Sequence, residues 1–340
     1  MIGLLTFIVV IGTALLIHEF GHFIVAKKCG VRCGEFSIGM GPPIFKITRG
    51  ETVYILRLFP VGGSVSMDSV MGNNPIEGCF ESKSKLKRAA ILSAGATMNF
   101  FLAFLLVFSI GILQGKPNPS NELAYIFPGM PAQVAGLEIG DRIISYQGAA
   151  ISNGEELVAA IHRYQGDVSV RLLRNGEVLE VDLTPNSVLY EGQLVSQIGL
   201  QVTTDHHFSL PYAFQFGFSR LGTIFYELLR SLQMLLFTGE VGISELSGPL
   251  GVYQMAATVS HQGIFSVLLL GALINVNLGL FNLFPLPALD GGKLIFVAIE
   301  GVFKKAVPAK LENNIHLVGF TLFMGLFLLT FFNDLLRLRA

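Results

Sequence analysis

Apolar residues run along this chain in four long blocks, 2–26, 89–113, 264–284 and 315–332, separated by polar segments of very unequal length. Each block approaches or exceeds the roughly 20 residues that a helix needs to cross a bilayer, so the pattern predicts four transmembrane helices. A fifth apolar stretch, 210–237, is interrupted by Arg220, Glu227 and Arg230. That interruption predicts an amphipathic helix lying on or beside the membrane. Between the first two blocks the period changes. Residues 36–41 and 52–58 read as strands, Arg49-Gly50-Glu51 as the turn between them, and Gly62-Gly63 as an interruption in a later strand. A small sheet at the membrane, directly after the first span, is the expectation. Residues 116–121, rich in proline and asparagine, read as a linker. Beyond them strands and turns alternate with one helix near 153–162, and 168–173 and 178–183 form a hairpin around Arg174-Asn175-Gly176-Glu177. This is a soluble α+β domain of ordinary size.

The expected organisation follows. Residues 1–33 hold the first transmembrane helix, 34–85 the membrane-associated β-region and a loop, and 86–114 the second transmembrane helix. Residues 115–205 form the soluble domain and 206–262 an amphipathic helical region. The third transmembrane helix and its following motif occupy 263–303, and the fourth occupies 304–340.

Composition agrees with a polytopic α-helical membrane protein. Of 340 residues, 51% are hydrophobic and 14% charged, against about 25% charged in soluble domains. The net charge of −1 provides no basic field for nucleic acid. The first block lacks the basic start and small-residue cleavage site of a signal peptide. Lys and Arg number ten in 27–88 and four in 285–314, but seven in the much longer 114–262. By the positive-inside rule, 27–88 and 285–314 are cytoplasmic, and both termini and 114–262 lie on the other side; Arg337 and Arg339 mildly oppose this. Cys29, Cys33 and Cys79 then fall on the cytoplasmic side, where thiols stay reduced, and no second pair accompanies Cys29 and Cys33 as a metal site would require.

Candidate chemistry begins inside the first block, at His18-Glu19-Phe20-Gly21-His22. Residues i and i+4 share a helix face, so His18 and His22 can reach one Zn²⁺, with Glu19 beside that face to take a proton from water. Ionisable groups at membrane depth are costly and usually functional. A catalytic zinc takes three protein ligands, and the strongest third candidate is Asp290. It follows the third block in Asn282-Leu283-Phe284-Pro285-Leu286-Pro287-Ala288-Leu289-Asp290-Gly291-Gly292. Pro285 and Pro287 break the helix there and free backbone groups, which membranes tolerate inside protein or beside a water-filled cavity. His162, His206, His207, His261 and His316 compete as ligands; the first four lie across the membrane from the cytoplasmic loops, and His316, at the start of the last block, is the hardest to exclude. Asn99, Asn275 and Asn277 read as helix–helix glue. Asn282, Pro285, Pro287, Gly62 and Gly63 are the candidate substrate-binding residues, the glycines through a strand edge that pairs with an extended segment.

At these residues the chain resembles the site-2 protease family of intramembrane zinc metalloproteases, in its bacterial branch of the regulator of sigma-E protease type, over nearly its whole length. His18-Glu19-Phe20-Gly21-His22 matches the zinc helix, and Leu289-Asp290-Gly291, preceded by Asn282 and Pro-x-Pro, matches the LDG motif. Ala94-Gly95-Ala96-Thr97-Met98-Asn99-Phe100 resembles the second-span signature, with Ala96 where proline is usual. Glu35-Phe36-Ser37-Ile38-Gly39 and the run from Pro60 to Met67 resemble the membrane-associated β-region, with Ser64 and Ser66 replacing an aromatic and a basic residue. Ser247-Gly248-Pro249-Leu250-Gly251 resembles the motif before the third span. The resemblance implies a single PDZ domain in 116–205, a zinc cofactor, and the bacterial inner membrane as location. It also implies single-span substrates such as anti-sigma factors or signal-peptide remnants. The rival reading is a non-proteolytic, membrane-tethered PDZ scaffold with a structural metal. A transporter would be favoured by inverted repeats, and none is seen.

Overall fold

A computed structural model of the protein describes residues 1–67, 78–164, 166–190, 193–238, 247–305 and 307–337. Helix α1 (Ile2–Lys28) leads into strands β1 (Cys33–Arg49) and β2 (Thr52–Met67), then helix α2 (Lys85–Gln114). Next come β3 (Lys116–Ile126), the short α3 (Pro131–Val134), β4 (Arg142–Tyr146), β5 (Ala149–Ala150) and α4 (Gly154–Arg163). Strands β6 (Val168–Arg174), β7 (Glu177–Leu183), β8 (Asn186–Tyr190), β9 (Gln193–Gln197) and β10 (Leu200–His207) follow. The chain ends with helices α5 (Leu210–Gln233), α6 (Pro249–Ser260), α7 (Ile264–Leu283), α8 (Asp290–Phe303) and α9 (Ala309–Arg337). A π-helical turn, Met234–Thr238, extends α5. The chain divides into two compact units, Met1–Ile110 with Phe214–Ala340, and Gly111–Ala213.

In the first unit, α1, α2, α7 and α9 are long and apolar enough to span a bilayer, and α5 is not among them. The four expected spans are therefore present. α9 begins before the apolar block because Pro308 precedes its first turn, where a missing N–H is harmless and φ is already helical; the Leu311 N–H donates back to the Pro308 carbonyl at 2.9 Å. Phe23 and Ala26 of α1, Val31, Phe36 of β1 and Ile91 of α2 form one buried cluster. Ala103 and Val107 of α2, Ile224 of α5, and Ala272 and Val276 of α7 form another. The first cluster locks the sheet onto α1 and α2, at the end of α1 that carries the histidines.

The sheet is more folded than the sequence pattern suggests. Residues 35–38 pair on one side with 53–56 and on the other with 63–66, while 43–49 pair with 52–57. Two long strands thus make a ribbon four segments wide. The chain reverses at Met40–Pro43 and again before Gly63. Gly62, with φ +87°, provides the second bend and would be strained with any side chain. Segment 63–66 is an edge: among the described residues it pairs only with 35–38.

The second unit is an α+β domain with sheet order β10-β3-β4-β6-β7 and β5 paired to β4. Its core gathers Leu123, Ile143, Tyr146, Leu157, Val170 and Leu172. The hairpin lies where the pattern predicts it, turning at Asn175 and Gly176, both at positive φ. Helix α4 starts at Asn153, whose side chain accepts the Glu156 N–H. One expectation is corrected. Residues 116–121 are not a linker: they begin β3, with 116–119 paired to 204–207 of β10. Pro117 and Pro119 are tolerated because β4 pairs with β3 only at Glu122, so their missing N–H groups break no second ladder.

A buried carboxylate ties this unit together. Asp141 is 1% exposed. It accepts hydrogen bonds from Arg174 Nε and Nη2, both at 2.7 Å, and from the Glu138 N–H at 2.8 Å. Burial raises its pKa, but these hydrogen bonds and the guanidinium charge outweigh burial and hold it below the ordinary aspartate value. A depressed carboxylate contributes stability above its unfolded pKa, 3.8, and that contribution is lost as pH falls through the lower folded value. Arg174→Ala leaves the buried charge unpaired and is expected to destabilise this unit by about 3–5 kcal/mol. Thermal melts followed by circular dichroism at neutral pH check this. The wild-type melting temperature should also fall on acidification below 3.8, and the variant should lose less.

Candidate metal centre

His18 and His22 lie one turn apart near the C-terminal end of α1, 7% and 6% exposed. Asp290 is the first residue of α8, after the broken segment that ends α7. The fold brings Asp290, 272 positions from His18 and 268 from His22, into contact with both histidines. Asp290 Oδ2 is 3.2 Å from His18 Nε2 and 3.0 Å from His22 Nε2, and the two nitrogens are 3.2 Å apart.

The triangle has the chemistry of a cation site. His22 Nδ1 lies 2.8 Å from the Ile91 carbonyl oxygen, which can only accept, so the ring proton is there and the lone pair is on Nε2. That lone pair faces a carboxylate oxygen and a second imidazole. His18 Nε2 faces the same carboxylate oxygen, while His18 Nδ1 has no hydrogen-bond partner among the described residues. Zinc–ligand bonds near 2.0 Å in tetrahedral arrangement separate ligand atoms by about 3.3 Å, close to the edges seen here. Backbone carbonyl support of a ligating imidazole is also the usual outer partner of such sites. The two-histidine, one-carboxylate set fits Zn²⁺.

The second helix makes room for this arrangement. A Cβ on Gly95 of α2 would lie 2.6 Å from His18 Cε1 and 2.8 Å from His18 Nε2, and closer still to His22 Nε2. At the other side, a Cβ on Gly291 would collide with the carbonyls of Leu283 and Phe284, so α8 can start directly against the end of α7. Ile91 and Gly95 are the site residues that sequence reasoning missed. The run 94–100 signalled the second span, but a backbone carbonyl and an absent side chain carry no chemical label of their own.

Glu19 follows His18 and is partly buried. A Cβ on Gly63 would lie 3.3 Å from Glu19 Cγ, so the sheet edge passes beside this carboxylate. Asn282 donates from Nδ2 to the Leu278 carbonyl at 2.9 Å, one turn back in α7. Pro285 is exposed and Pro287 partly buried in the α7–α8 connection. Among the described residues no hydrogen bond joins Asn282, Gly62 or Gly63 to the triad. His316 lies outside it: its Nδ1 accepts the Ala288 N–H at 2.9 Å. Among the described residues no other group of three His, Cys, Asp or Glu side chains converges in this way.

A sequence profile of the family described as peptidase family M50 matches residues 6–326. The chain belongs to peptidase family M50. The expected site-2 protease membership is met, and the protein is a membrane metalloprotease of that type. Its relatives agree along their whole length. It is 31% identical to a protein of Oceanobacillus iheyensis named zinc metalloprotease RasP, over 99% of this chain and 100% of that one. It is 32% identical to a putative zinc metalloprotease of Clostridium perfringens, over 95% of each chain. Among solved structures, the PDZ domain of an SdrC-like protein from Listeria monocytogenes aligns over 25% of this chain and 87% of its own, with 19% identity and a TM-score of 0.22.

Within this candidate site, Gly95 is the most exacting position. Gly95→Ala places a methyl group where both imidazoles stand. It is expected to lower metal affinity about tenfold or more, comparable to loss of an outer-shell partner. Metal content of the purified protein, measured by elemental analysis after dialysis, checks this.

Proposed function

We propose that the protein hydrolyses peptide bonds in single-span transmembrane proteins, with His18, His22 and Asp290 holding Zn²⁺ and Glu19 acting as general base. The observation that carries this reading is the meeting of Asp290 Oδ2 with both Nε2 atoms at 3.0–3.2 Å beside an otherwise unassigned carboxylate. When bound, the ion supplies Lewis acidity that polarises a carbonyl and acidifies water. The remaining steps belong to the chain. Glu19 accepts a proton from the attacking water and delivers it to the leaving amine. A transmembrane helix must first unwind, because its peptide groups are otherwise bonded within the helix. The unpaired edge at 63–66, with Gly63 against Glu19, supports strand addition as the way an extended segment is held near the base. Gly63 lets that edge come close to α1, and Gly62 supplies the bend before it. Asn282, with Pro285 and Pro287 in the broken segment after α7, is proposed to contact the substrate backbone.

The distribution of Lys and Arg supports a cytoplasmic position for 27–88 and 285–314, with both termini and the PDZ-like unit on the opposite side of the inner membrane. Candidate substrates are anti-sigma-factor-like proteins and signal-peptide remnants. A scaffold with a purely structural zinc is disfavoured: such a site is closed by four protein ligands, and no fourth His, Cys, Asp or Glu side chain joins the three among the described residues.

Two substitutions separate the roles. Glu19→Gln is expected to reduce cleavage of a reconstituted single-span substrate by about 10²–10⁴-fold while zinc stoichiometry is unchanged. Asp290→Ala is expected to lose both. Wild-type turnover in the first variant, or full zinc content in the second, contradicts the respective assignment.

A further inference from the structure

Two residues before Asp290 the backbone takes a conformation that its side chain disfavours. Ala288 has φ +74°. Residues bearing a Cβ enter this left-handed region only where the surroundings hold them there. The holding contact is the 2.9 Å hydrogen bond from the Ala288 N–H to His316 Nδ1. It reaches the loop from another helix, α9, 28 positions away. The loop's own bonds, Leu286 N–H to Phe284 and Leu289 N–H to Leu286, leave the Ala288 N–H to this partner.

The imidazole is itself oriented. Its ring meets Phe296 of α8 edge-on, with centroids 5.4 Å apart and planes at 68°. One turn further along α9, a Cβ on Gly319 would come within 2.7 Å of the Pro287 carbonyl, so α9 is pressed onto the same loop. Because Nδ1 accepts, the ring proton lies on Nε2, on the side of Glu312, whose Oε1 is 3.9 Å away.

We propose that His316 is a positioning residue for Asp290: by holding Ala288 in its left-handed turn it sets where α8 starts, and so aims the Asp290 carboxylate at His18 and His22. The inference rests on Asp290 being a metal ligand, as proposed above. It gives a physical role to a histidine that is near the site and yet not in it.

The test measures Zn²⁺ affinity of the full-length protein in detergent, by competition with a chromophoric chelator, and so does not depend on cleavage. Leucine and asparagine are nearly isosteric, but only asparagine offers an acceptor near the Nδ1 position. His316→Leu is expected to weaken zinc binding about tenfold, and His316→Asn to stay within about threefold of the parent, on the scale of outer-shell substitutions. Adding Ala288→Gly to His316→Leu should recover part of the loss, because glycine enters the left-handed region freely. Parent-like affinity in His316→Leu overturns the proposal. So do equal losses in the leucine and asparagine variants, or no recovery with glycine. Gel filtration monitors folding; if the leucine variant does not fold, His316→Gln, whose acceptor sits one bond further out, takes its place in the comparison. Asp290→Asn is measured alongside. If it keeps full zinc affinity, the ligand assignment itself fails; if it loses zinc while His316→Leu does not, only the positioning role fails.

Discussion

The structure depends on the mutual satisfaction of three ionisable side chains at membrane depth. His18, His22 and Asp290 are each expensive to bury alone, and the bilayer offers no water to compensate them. Packed within 3.2 Å of one another, they form a donor set that fits a divalent cation. Most of the local architecture serves that convergence. α1 supplies two candidate ligands from one face. α2 contributes the Ile91 carbonyl that orients His22 and a glycine where any side chain would intrude. The helix break between α7 and α8 turns the chain so that Asp290 begins a helix rather than continuing one.

The same region joins two kinds of secondary structure that rarely meet in a bilayer. A helix end holds the candidate catalytic groups, and a sheet with an unpaired edge lies against it. Phe23, Phe36 and Ile91 bury their side chains together, which fixes the sheet to α1 and α2 without using its edge. Among the described residues, 63–66 therefore carries no partner on its outer side, beside Glu19.

The second unit, Gly111–Ala213, follows a separate logic. It has its own core and its own buried ion pair, with Asp141 accepting from Arg174 and from the Glu138 N–H.

Much of this was legible from residue order, for definite reasons. Spans follow from the length of apolar runs, so α1, α2, α7 and α9 were visible as blocks. Helical period places His18 and His22 on one face before any fold is known, and Asn175-Gly176 announces its hairpin. Three things were not legible. Pro117 and Pro119 suggested a linker, because proline's missing N–H matters only where a partner strand needs it, and that depends on neighbours distant in sequence. The four-segment width of the sheet arises from bends that bring 63–66 back beside 35–38, a long-range pairing with no local signature. The roles of Gly95, the Ile91 carbonyl and His316 depend on which helices touch. Residue order by itself determined the spans and the chemical identity of the candidate ligands, since these depend on hydrophobicity and period. Tertiary structure alone decided that Asp290 meets both histidines and that His316 holds the turn before it, because contacts across such separations are set by packing.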